Sequence, residues 1–191
     1  MDAFKIAVKL FATDDAFPRD QFIPIFHHWI QSQSVQGHLL IDVADYAHVA
    51  AGPGTVLVSS QANFHMDRGE NRLGLCYWRK LPLPGTFAQR LSGVLAETIK
   101  AAMKLEAEPT LNGRLKFKTN EILIRLNDRL LAPNTPQTFA QIKEDLQTVG
   151  RNLFGGRAFT MKSHDSPQAL FEVRLHCEQA PPIAELARNI Q

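Results

Sequence analysis

Residues 39–80, LLIDVADYAHVAAGPGTVLVSSQANFHMDRGENRLGLCYWRK, constrain the fold more than any other part of the chain. Three runs rich in β-branched and aromatic residues are separated by two turn signals, Gly52-Pro53-Gly54 and the loop DRGENR at 67–72. Glycine supplies positive φ and proline a preset φ at such bends, so each signal reads as the tip of a hairpin. Loops this short join only antiparallel neighbours, because a parallel return needs a crossover of roughly a dozen residues. Symmetric turns then set the register. Ala50 falls opposite Thr55, Tyr46 opposite Ser59, Ala44 opposite Gln61 and Asp42 opposite Asn63. The second loop sets Met66 opposite Leu73, which brings Asn63 to Cys76 and Gln61 to Trp78.

Strand side chains alternate with a period of two, so this register sorts the block into two faces. One carries Asp42, Tyr46, His48, Ser59, Gln61, Asn63, His65, Cys76 and Trp78. The other carries Ile41, Val43, Val49, Val56, Val58, Ala62, Phe64, Leu75 and Tyr77, and is the face expected to meet helices. The polar face holds amides, imidazoles, a carboxylate and an indole where a merely wet sheet would hold Lys, Glu and Thr. Such groups around an aromatic suit a small polar ligand. The candidate ligand-binding residues are therefore Asp42, Tyr46, His48, Gln61, Asn63, His65 and Trp78. Asp45 breaks the pattern, since regular alternation turns it into the apolar face. It needs an internal partner or a bulge beside it.

The remaining elements follow from periodicity. FKIAVKLFA at 4–12 alternates as a strand, with Lys5 and Lys9 opposite its apolar face. Phe22, Ile25, Phe26, Trp29 and Ile30 form a helical stripe, with Asp20 as its expected cap and Pro24 tolerated in the first turn. A second helix spans 87–107 behind Thr86, and a third begins at Pro136 behind Thr135. Residues 114–131 read as one long strand or as a hairpin bent at Thr119–Asn120. A last hairpin joins 158–164 to 169–177 around Ser166–Pro167, before a short tail. The order β-α-β-β-β-α-β-α-β-β places the chain in the α+β class, with a mostly antiparallel sheet and amphipathic helices on one face. A length of 191 residues suits a single domain spanning 1–191, with a weak two-part pattern of 1–108 and 109–191.

Several functional classes are poorly served. A net charge of +2 is too mild for nucleic-acid binding, and the aromatic within the cationic row Arg114, Lys116 and Lys118, Phe117, alternates onto the other strand face, away from the cations. Charge is nevertheless sorted along the chain. Residues 1–60 carry three bases against six acids, and 111–151 carry seven bases against four acids, which favours an anionic ligand or a second subunit. The two cysteines, Cys76 and Cys177, make neither a disulfide framework nor a zinc spacing. No apolar run is long enough to span a bilayer, and the N-terminus lacks the layout of a signal peptide, so a cytoplasmic location is expected. Asp42, Asp45 and His48 do not point one way on a strand, so neither a metal nor another cofactor is expected. No phosphate-binding or dinucleotide motif occurs. The expectation is a cytoplasmic binding or accessory module, working as a homodimer on a small polar or anionic ligand. The competing expectation is a small hydrolase-type enzyme that uses His48 or His65 with Asp42 on the open sheet face, or His65 as a base with Asp67, two residues on, as its orienter; no nucleophile in a strained turn accompanies them.

Overall fold

A computed structural model describes every residue except Arg19, Ala47, Ala50, Ala51, His164, Asp165, Pro167 and Gln191. Its strands are β1 (Ile6–Ala12), β2 (Leu40–Asp45), β3 (Thr55–Ser59), β4 (Ala62–Asp67), β5 (Gly74–Arg79), β6 (Phe117–Leu126), β7 (Thr160–Ser163) and β8 (Phe171–His176). Its helices are α1 (Phe22–Ser32), α2 (Phe87–Glu106), α3 (Pro136–Leu153) and α4 (Ile183–Asn189). All eight strands pair antiparallel in one sheet, in the order β2-β3-β4-β5-β1-β6-β8-β7. The α+β class with a mostly antiparallel sheet is therefore the observed one.

The helices cover one face. Val8, Leu10, Leu57, Phe64, Leu75, Ile122, Ile124 and Val173 point from the sheet into the same core as Phe26, Trp29, Leu91, Leu95, Ile142 and Leu146. Local chemistry starts two helices as expected. Thr86 accepts the Gln89 N–H while the Gln89 side chain accepts the Thr86 N–H, a reciprocal capping box. Thr135 caps α3 with Pro136 as its first residue. Asp20 does not cap α1: the cap position is Gln21, in helical conformation and without a side-chain bond. The expected tail contains a further helix, α4. Residues 114–131 contain the single strand β6, whose C-terminal half, Ile122–Leu126, pairs with β1.

The chain is built twice around the β1/β6 pair. From β1 it runs through α1 and several strands back to β5, which lies beside β1, and then into α2. From β6 it runs through α3 and β7 back to β8, which lies beside β6, and then into α4. The first half carries the additional strands β2 and β3.

The stretch 39–80 holds four strands, not three. A turn at Ser60–Gln61 divides the run 55–66, so Val58 pairs with Asn63 and Val56 with His65. Ser59 holds this turn: its hydroxyl donates to the Ala62 carbonyl at 2.6 Å and accepts the Ala62 N–H at 3.1 Å. The extra reversal moves β3 by one residue relative to the expected faces. Leu57 enters the core, whereas Val56 and Val58 turn to the outer face. Ser59 lies on the core side opposite Leu40 rather than Tyr46. Asp42 meets Val58 rather than Asn63, and Ala44 meets Val56 rather than Gln61. Between Leu40 and Asp42 the register slips by one residue, a bulge that turns Ile41 out of the core side and leaves it 56% exposed. Val49, also expected inside, is 42% exposed. The expected Ala50–Thr55 pair, His164 of the last hairpin and Pro167 of its turn lie outside the described residues.

Gly54 ends the first turn with φ +70°, and a Cβ there would overlap the Met66 carbonyl oxygen, so only glycine fits.

Candidate functional site

The sheet face away from the helices has two parts. Over β1, β6 and β8 it is sealed by charge. Lys9 sits mid-strand on β1, only 2% exposed, and its ammonium donates to Asp67 at 2.5 Å and to the Arg72 carbonyl at 2.9 Å. Its stem passes over Gly74, where a Cβ would come within 2.6 Å of Lys9 Cε. The loop after β4 thus straps across the sheet. Arg72 grips Glu121 through both nitrogens at 2.7 Å, and its guanidinium lies 3.8 Å over the Phe11 ring. Arg174 bonds Glu121 at 2.7 Å and both oxygens of Glu70 at 2.8 Å, while Arg125 bonds Glu172 at 2.8 Å. Four acids and four bases cancel, so this lattice leaves no net charge for a ligand. The Arg72 hydrogen bonds, with those of Arg174, hold the Glu121 carboxyl down at about 2.

Over β2 to β5 the same face carries none of these four acids and four bases except Asp67: Val58, Asn63 and Trp78 are half-buried, and Val56, His65 and Cys76 are buried. Here the structure brings together three of the predicted residues. Asn63 and His65 stand two apart on β4, and Trp78 is paired with Asn63 across to β5. The expected partner of Asn63 was Cys76, which instead pairs with His65; the slip is two residues, so all four side chains keep the face expected of them. The His65 ring stacks on Trp78, centroids 5.5 Å apart and planes at 30°. Val56 and Val58 lie beside His65 and Asn63 on β3, and Ala44 and Asp42 complete the row on β2.

The other predicted residues do not join this cluster. Gln61 occupies the β3–β4 turn, where its side-chain oxygen accepts the Leu39 N–H at 2.9 Å. Tyr46 and His48 follow β2 in the loop before Gly52, their rings loosely stacked at 6.5 Å. Asp42 lies on the right face but at the sheet edge, and its carboxylate accepts the N–H of Val43 at 2.8 Å. A carboxylate closed over an edge N–H blocks the pairing of a further strand.

The cluster offers an imidazole, an amide and an indole. Burial pushes the His65 imidazole down to about 4, against a usual 6.5, so it is neutral at physiological pH. Its Nε2 and the Asn63 Oδ1 are buried without a hydrogen-bond partner. Burial, with the nearby Asp67 carboxylate second, pushes the Cys76 thiol up to about 12, which removes it as a thiolate nucleophile. Asp67, the expected orienter of His65, is taken by Lys9 and by the Gly69 N–H at 2.7 Å. Among the described residues no group of three His, Cys, Asp or Glu is arranged to hold a metal.

A second polar chain, on the helix side, was not anticipated. His38 Nδ1 lies 3.1 Å from the Gln36 carbonyl, which only accepts, so Nδ1 carries the proton and Nε2 accepts from the Tyr77 hydroxyl at 2.9 Å. Burial lowers the His38 pKa and raises that of Tyr77. Glu97 Oε2 is 3.9 Å from His38 Nδ1, and its other oxygen, Oε1, accepts from Lys100 at 2.9 Å. Both nitrogens of His38 are committed, so this chain ties the α1–β2 link to the sheet. Cavities of about 810 and 210 Å³ flank Glu97 and Lys100, the larger running between α2 and α3. A third, of about 580 Å³, opens at the β7–β8 corner. None of these three is lined by Asn63, His65 or Trp78. No helix among the described residues is long and apolar enough to cross a membrane. No protein-family model, curated protein or solved structure matches this chain.

Proposed function

We propose that the chain is a cytoplasmic binding or accessory module that docks through the β2–β5 part of its outer sheet face, and that its occupant there is a second copy of the same chain. The observation that carries this is the contrast across one face. The β1–β6–β8 half is closed by a self-neutralised lattice, while the β2–β5 half presents Val58, half-buried Asn63 and Trp78, with exposed Ile41 at the bulge. A patch of aromatic, amide and aliphatic groups has the composition of an interface centre. The occupied edge N–H of Val43 disfavours sheet extension through β2 and favours docking by the face.

Symmetry allows a second copy: a two-fold axis running along β4 and β5 sets β4 of each copy over β5 of the other, which brings the two Asn63, His65 and Trp78 clusters together. A reduced cytoplasmic setting fits Cys76 and Cys177, both free and buried.

Sedimentation velocity of the wild type and of Trp78→Glu tests the reading. The wild type is expected to sediment as a dimer at concentrations of about 10 μM and above, with Trp78→Glu monomeric and equally folded by circular dichroism. Asn63→Arg serves as the second variant and is expected to be monomeric too. A monomeric wild type, or a dimer indifferent to both substitutions, rules the proposal out.

A further inference from the structure

We propose that the cavity at the β7–β8 corner is a binding site for a phosphomonoester of metabolite size. It is independent of the outer-face interface and lies at the opposite end of the sheet order from β2. The cavity, about 580 Å³, collects donors from three places in the sequence: Arg157 from the segment after α3, Thr160 and Lys162 from β7, and His176 from the end of β8. Thr160 pairs with His176 and Lys162 with Arg174, so these side chains share one side of the two strands.

Arg157 is the anchor because only one of its nitrogens is used. Nη1 donates to Glu185 at 2.7 Å and to the Phe154 carbonyl at 3.1 Å. Those two bonds fix the plane of the guanidinium and leave the Nε–Nη2 edge without a partner among the described residues. That edge is the fork that fits two oxygens of a phosphate at once. Lys162 and His176 likewise have no ion pair or hydrogen bond among the described residues, and Thr160 adds a hydroxyl donor. One fork, one ammonium, one imidazole and one hydroxyl match the three oxygens and double charge of a phosphomonoester better than a single carboxylate.

The cavity is larger than a phosphate needs. Its remaining walls are the partly exposed Phe159 ring and the side chains of Glu178 and Gln179. Phe159 offers an apolar surface, while Glu178 and Gln179 offer acceptors for hydroxyl or amino hydrogens. A sugar phosphate or a nucleoside monophosphate has these parts in one molecule. Glu178 is exposed, so its repulsion toward the phosphate is screened by solvent and salt.

Calorimetric titration of the full chain, at matched ionic strength, with inorganic phosphate, ribose 5-phosphate and adenosine 5′-monophosphate tests the site. At least one phosphomonoester is expected to bind with Kd below about 1 mM, and inorganic phosphate at least about fivefold more weakly. Equal affinity for the two esters assigns the rest of the cavity to the sugar; tighter binding of the nucleotide assigns the Phe159 wall to the base. Lys162→Ala, on an exposed edge strand, is expected to weaken binding at least about fivefold with an unchanged melting temperature of the free protein. Arg157→Lys, which keeps the charge but not the fork, is expected to weaken it likewise. Absence of ester binding up to about 10 mM overturns the site, as does binding that neither variant changes.

Discussion

Replacing His65 with phenylalanine separates the two consequences of burying an imidazole on a sheet. His65 is 9% exposed, stacks on Trp78, and has an Nε2 with no partner. An unsatisfied buried polar atom costs about 1–3 kcal/mol, and phenylalanine keeps the ring while removing that atom. At about pH 7.5 the variant should therefore equal or exceed the wild type in stability. Acid widens the difference. The folded-state pKa is about 4 and the usual value 6.5, so the unfolded chain takes up the proton first as pH falls. Stability tied to neutral His65 is complete above 6.5 and is lost progressively down to 4. Between about pH 7.5 and about pH 5 this amounts to about 2 kcal/mol, present in the wild type and absent from His65→Phe. His38 is also depressed by burial and contributes in the same direction to both proteins, so it cancels in the comparison. Urea unfolding of both proteins at the two pH values reads the difference directly. Parallel loss of stability in the two would refute a buried neutral His65.

Two further substitutions probe the parts of the sheet that frame the site. Glu121→Gln removes the carboxylate shared by Arg72 and Arg174 and should cost about 2 kcal/mol. Because that carboxyl titrates at about 2 rather than 4.5, its contribution is complete above 4.5 and vanishes as pH falls through 2; acid unfolding of the variant should be flatter over that window. Gly54→Ala meets both a positive φ and the Met66 carbonyl, and should lower the thermal midpoint by more than about 5 °C in a melting scan.

Turn chemistry decided how far the sheet could be read ahead of the structure. Gly52-Pro53-Gly54 and DRGENR announce themselves because glycine and proline have few other uses inside a strand block. Ser60–Gln61 does not, since the bend is held by one hydroxyl, that of Ser59, bonded to both backbone groups of Ala62. In VLVSS either parity buries a valine or a leucine, so hydrophobicity alone could not reveal the phase change. The bulge at Ile41 is not the one that Asp45 suggested: Asp45 keeps the side of Val43 and Leu57 and is exposed at the end of β2. Asn63, His65, Cys76 and Trp78 kept their common face because β4 and β5 slipped by two residues, an even number. The charge lattice lay beyond sequence reading altogether. Its members, from Lys9 to Arg174, are distant in sequence and meet only because β1, β6 and β8 are neighbours, an order that no local signal encodes.

Quenching of tryptophan emission by acrylamide across a protein dilution series tests the docking face most directly. Trp29 is fully buried in the helix-side core, so the accessible emission reports Trp78. If the β2–β5 face joins two copies, quenching should rise on dilution in step with dissociation measured by sedimentation. Quenching that stays constant while the dimer dissociates would place the contact elsewhere and contradict the assignment of this face.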